Sequence, residues 1–75
     1  KKIILTPHAK ERMQERDISL KDIEYALSNA NISTPSKRKN RKRIMNEIPG
    51  KSLLKIICRE TKTKFFIISV SWEGE

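Results

Sequence analysis

His8 is the one histidine of the chain, and arginines follow it at steps of four, Arg12 and then Arg16. On a helix this spacing sets an imidazole and two guanidinium groups along one stripe. Imidazole ordinarily titrates near neutrality, and guanidinium grips phosphate oxygens through two parallel hydrogen bonds. Cleavage of RNA without a metal needs a base for the 2′-OH proton, cations for the charge gathering on phosphorus, and an acid for the departing 5′-oxygen. His8 suits the first role, and Arg12 and Arg16 suit the second. Glu11, Glu15 and Tyr25 are candidates for the third, and spacing does not choose among them. The competing reading is a solvated amphipathic face whose charges pair locally, Glu11 with the neighbours of Arg12 and Glu15 with Lys10 or Arg16.

A second cationic feature lies in mid-chain. Lys37, Arg38, Lys39, Arg41, Lys42 and Arg43 are six bases in a window of seven, with no acid among them. Such a run is either a self-repelling loop or a hairpin that contacts a polyanion through phosphates. Seventeen Lys and Arg against nine Asp and Glu give a formal charge of +8, which favours nucleic acid as the partner. Tyr25, Phe65, Phe66 and Trp72 are the only aromatics, too few for a base-stacking platform of the usual kind. No apolar run approaches the ~20 residues of a membrane span. Cys58 alternates with Leu54 and Ile56, so it reads as a small buried hydrophobe rather than a nucleophile. A lone cysteine and the lack of a signal-peptide pattern suggest a reduced, cytoplasmic setting. No metal-ligand spacing occurs, so no cofactor is expected.

The elements that must carry these groups are legible in outline. Thr6 is a good N-cap and Pro7 suits the first helical position, so a helix is expected from there to Arg16 or Asp17, with Leu5, Ala9 and Met13 on its packing side. Ser19 opens a second helix with Asp22 as the partner in a capping box. Leu20, Ile23, Ala26 and Leu27 form its buried stripe, and Ser28 to Asn31 its polar stop. Ile3 to Leu5 is a short strand or a mere lead-in. From Ile32 the period changes to two, giving strands over 32–37, 41–48, 52–60 and 64–73. Pro35 confines the first to an edge, and Pro49–Gly50 marks a turn. In the last strand strict alternation puts Phe66, Ile68, Val70 and Trp72 toward the helices, and Phe65, Ile67, Ser69 and Ser71 away from them. On that outer face Ser69 and Ser71 are either ordinary polar residues or ligands for phosphate or ribose. The order of elements is that of an α+β domain over residues 1–75, with two N-terminal helices on one face of a four-stranded antiparallel sheet. A domain this small buries only about 60% of its unfolded surface, so its core is thin.

The opening LTPHAKERMQERDIS resembles the signature T-x-H-A-x-x-R-M-x-x-R-x-I-S of the domain-of-unknown-function family 4258, and the closing FFIISVSW is similar to that family's last strand. The family is grouped with the RelE-like and barnase-like ribonuclease fold, which includes toxins of toxin–antitoxin systems that cut RNA without metal. The resemblance therefore implies a metal-independent endoribonuclease. His8, Arg12 and Arg16 would be its helix-borne site residues, and Ser69, where the family often has Thr, its strand-borne one. RNA would be the substrate and an acidic antitoxin a partner. The reading from another class is a non-catalytic nucleic-acid-binding or regulatory module of the same fold. A third is a scaffold whose charge recruits an acidic protein.

Overall fold

In the computed structural model, which describes residues 1–29, 32–35 and 40–74, two helices lie against one face of a five-stranded sheet. In chain order the elements are β1 (Lys2–Leu5), α1 (Pro7–Arg16), α2 (Leu20–Ser28), β2 (Ile32–Pro35), β3 (Lys42–Glu47), β4 (Leu53–Glu60) and β5 (Lys64–Trp72). The sheet order is β1-β5-β4-β3-β2.

The helix boundaries follow from local chemistry. The Thr6 hydroxyl accepts from the Ala9 N–H at 3.2 Å, filling one of the donors a helix start leaves open, and donates to the Ile67 carbonyl at 2.7 Å. One side chain thus caps α1 and ties it to β5. At the other end Asp17 takes the left-handed conformation (φ 53°), and the Ile18 N–H returns to the Met13 carbonyl. Ser19 and Asp22 complete the capping box of α2 in both directions. Ile18 and Ile23, at the positions of a hydrophobic staple, are both in the core. Leu20 departs from the expected buried stripe: it is 45% exposed, because the first residue of α2 stands ahead of the part that reaches the sheet.

The expected four-stranded antiparallel sheet is instead mixed and has a fifth strand. β2, β3, β4 and β5 pair antiparallel in sequence order, while Lys2 to Leu5 runs parallel to Lys64 to Ile67. Ile67 is fully buried, and the flank of β5 that faces away from β4 would have left main-chain groups unpaired there. The short N-terminal strand satisfies them. β2, which contains Pro35, forms the opposite edge, as a missing N–H requires.

Alternation along β5 is also not strict. Ile57 pairs with Ser69 but Cys58 with Ile67, so Ile68 is an extra residue and the strand bulges there. Beyond the bulge the faces exchange. Phe65 and Ile67 join Val70 and Trp72 on the helix side, while Phe66 goes to the other side with Ser69 and Ser71. The core is therefore Ala9, Ile18, Ile23 and Ala26 from the helical half against Ile44, Ile48, Leu54, Ile56, Cys58, Ile67 and Val70 from the sheet half. Cys58 is wholly buried, and burial pushes its thiol pKa up, which suits an inert packing residue. α1 packs on β5, and α2 on β3 and β4, all from one side. Among the described residues no helix is long and apolar enough to cross a membrane.

Candidate nucleic-acid interface

The stripe on α1 is less uniform than its spacing suggests. Four residues turn an α-helix by about 400°, so each step from His8 to Arg12 to Arg16 advances about 40° toward the packing side marked by Ala9. His8 is exposed accordingly, whereas Arg12 and Arg16 are half-buried. Arg12 donates through Nη1 to Glu15 Oε1 at 2.6 Å, so its cation is engaged within the helix. Arg16 sits at the far end of α1, where its carbonyl accepts from the Trp72 indole N–H at 2.7 Å. His8 and Arg16 stand about 12 Å apart along the axis, at 1.5 Å per residue.

Ser69 does not join them. By register it lies opposite Ile57, on the face of the sheet that neither helix covers. Arg43, Lys55 and Arg59 share this open face with the half-buried Met45, Ile57, Phe66, Ser69 and Ser71. Ile4, Lys2 and Lys64 extend it toward β1. Among the described strand residues Glu47 is the one acid on that side. Glu60 and Asp22 are engaged elsewhere. Glu60, on the helix side, takes both Lys1 and Lys42, whose hydrogen bonds pull its carboxyl down to about 2. Asp22 takes Lys51 at 2.8 Å. Burial alone would raise the Asp22 carboxyl, but the Lys51 ammonium and the bonds with Ser19 outweigh it and hold the group below its ordinary value.

The basic run is divided by the same alternation. Lys42 points to the helix side and is neutralised by Glu60, whereas Arg43 points to the open face. Arg41 is half-buried and lines the open face beside Asn40, which has a positive φ of 65°. Lys37, Arg38 and Lys39 lie outside the described residues. Of the six bases expected to form one patch, the structure thus puts Arg41 and Arg43 on the open side and Lys42 on the other.

Arg41 and Arg59 flank a cleft of about 380 Å³ on the open face, completed by Thr6, Asn40, Phe66 and Ile68. The Arg59 guanidinium carbon lies 5.3 Å from the centre of the Phe66 ring, within cation–π range. The cleft is lined by sequence neighbours of both halves of the expected site: Thr6 is two residues before His8, and Ile68 adjoins Ser69. Sequence reasoning read Thr6 only as a cap and assigned Phe66 and Ile68 to the core. The available signal was the run Phe65-Phe66-Ile67-Ile68, four apolar residues that cannot all lie on one side of a strand. Arg59 was also readable, since it continues the outward set Lys55 and Ile57 on β4.

Fold and site together define a small α+β protein with a cationic, partly aromatic cleft on an uncovered sheet face. The model of the domain-of-unknown-function family DUF4258 matches residues 5–72, and the chain belongs to that family. No curated protein and no solved structure matches it.

Proposed function

We propose that the protein acts on RNA as a toxin-like, metal-independent endoribonuclease of the RelE-like and barnase-like group, holding the strand on the open sheet face. The observation that carries this reading is the segregation of charge: Arg41, Arg43, Lys55 and Arg59 stand on or beside an uncovered surface, while Glu60, Asp22 and Glu15 are bound to other cations. Such a surface attracts phosphates without reading bases. In this scheme Arg41 and Arg59 hold the scissile phosphate in the cleft that Thr6, two residues before His8, also lines, and Ser69 donates to the RNA strand farther along the open face. His8, exposed at the start of α1, takes the 2′-OH proton as the 2′-oxygen closes on phosphorus and the 5′-oxygen leaves, giving a 2′,3′-cyclic phosphate and a 5′-OH. Glu15 is occupied by Arg12 and Tyr25 stands on α2, which leaves Glu11 or water to protonate the leaving oxygen. An acidic antitoxin segment would compete for the same cations, so adding one should release bound RNA.

The test is incubation of the purified chain with RNA, with and without ribosomes and in EDTA, followed by end-group analysis. His8→Ala is expected to lower the rate by about 10² to 10⁴ while leaving affinity nearly unchanged, because phosphate grip belongs to the arginines. Cleavage no faster than that of His8→Ala overturns the enzyme reading. Its alternative, a non-catalytic RNA-binding module, is favoured by two observations: Arg12 is paired with Glu15, and Ser69 lies on the sheet face opposite the one on which α1 packs. That module would bind RNA as tightly and cut nothing.

A further inference from the structure

The geometry points to a mononucleotide subsite in the Arg41–Arg59 cleft, in which a base stacks on Phe66 and the attached 5′-phosphate is clamped by the two guanidinium groups. This inference deepens the RNA reading above and rests on it for its biological use, although its chemistry can be tested separately.

An aromatic ring on a solvent-facing sheet surface is unusual in a chain with so few, because ring area is normally spent in the core. Phe66 is half-buried and lies against the open cleft, while its neighbour Phe65 packs with the core. The bulge at Ile68 produces the difference: it exchanges the faces of the preceding residues, turning Phe66 outward and Phe65 and Ile67 inward. The floor so made is apolar, Phe66 with Ile68, and its rim is polar, Arg41, Arg59, Asn40 and Thr6. An apolar floor accepts the flat face of any base, and two arginines accept a dianionic phosphate bidentately. Asn40 adds an amide that can donate and accept at a base edge.

Arg59 rests over the Phe66 ring, at 5.3 Å from its centre. An exposed cation–π contact of this kind is worth about a two- to fivefold equilibrium preference, whereas stacking of a base on an aromatic ring is worth about five- to a hundredfold. A base can therefore displace the exposed guanidinium, which then moves to the phosphate. Arg59 acts as a placeholder that keeps the ring covered until a nucleotide arrives.

The experiment titrates the ¹⁵N-labelled chain with adenosine 5′-monophosphate, ribose 5-phosphate and inorganic phosphate, and in parallel with a single-stranded oligoribonucleotide. Adenosine 5′-monophosphate is expected to bind at least fivefold tighter than ribose 5-phosphate and to shift the amides of Arg41, Arg59, Phe66 and Ile68. Phe66→Leu should abolish that ratio and Phe66→Tyr should keep it, while Arg59→Gln weakens both ligands. Equal affinity for the two phosphates in the unaltered protein, or shifts elsewhere, overturns the subsite whatever the variants do. If the oligoribonucleotide binds but the ratio is absent, the subsite falls and the RNA reading stands. A clear ratio without oligoribonucleotide binding supports the subsite and removes the RNA reading.

Discussion

On β4, Leu54, Ile56 and Cys58 face the helices while Lys55, Ile57 and Arg59, one position along each time, face away. The covered face excludes water, so its polar members are paired: Asn46 with the Asn29 carbonyl, Asp22 with Lys51, and Glu60 at its rim with two lysines. The open face leaves Arg43, Lys55 and Arg59 with Glu47 as the one acid among its described strand residues. Both faces are cut from the same strands with similar intrinsic propensities. What separates them is where charge is cancelled. A neutralised cation at the core's rim contributes to a single packed state, and an uncancelled one is left to attract an external anion.

The contrast is sharpest in neighbouring isoleucines. Ile56→Ala leaves a cavity under the helices and should cost about 2 to 5 kcal/mol in denaturant unfolding, whereas Ile57→Ala, half-exposed on the other side, should cost about 1 kcal/mol. Equal losses would mean that the open face is covered in solution. The next effect concerns charge. Replacing Arg43, Lys55 and Arg59 together by Gln should flatten the dependence of log RNA affinity on log salt by about 2, at about 0.7 per lost phosphate contact, and leave thermal unfolding nearly unchanged. Lys42→Gln, on the covered side, should leave the slope as it is. If the two variants behave alike, the division of the basic run is wrong. The smallest effect belongs to Asp22. Its carboxyl titrates lower in the folded chain than the ordinary 3.8, so the stability it contributes is present above that value and lost as pH falls through the folded pKa. Asp22→Asn should cost about 1 kcal/mol near neutrality and reduce the fall in stability as the pH drops below about 4, read from urea midpoints.

The parts of the fold that were legible in the sequence are those whose causes are local. Thr6 and Pro7, the Ser19–Asp22 box, Pro35 at an edge and the Pro49–Gly50 turn, with Gly50 at a φ of 75°, each act within a few residues. β1 stayed undecided because its reason for being extended is the unpaired flank of β5, about sixty positions away. The bulge was hidden because Phe66 and Ile67 are both apolar, and only the packed sheet shows which of them faces inward. The candidate site suffered from the same two gaps. His8, Arg12 and Arg16 do share α1, but the turn between successive steps spreads them from solvent to core, and Glu15 chooses Arg12 rather than Lys10 or Arg16. Ser69 was correctly set on the outer face, yet its neighbours there, Arg59 and Phe66, belong to a cleft that no single segment encodes.

The parallel pairing of Lys2–Leu5 with Lys64–Ile67 has a consequence in time. Loop closure over such a separation comes late, since the entropy of joining distant segments must be met before the contact rewards it. Thr6 reaches Phe66 and Ile68 only through that pairing. During synthesis the helices and the β3–β4 hairpin can form while the cleft between Arg41 and Arg59 does not yet exist, and it appears only after residue 68 has left the ribosome.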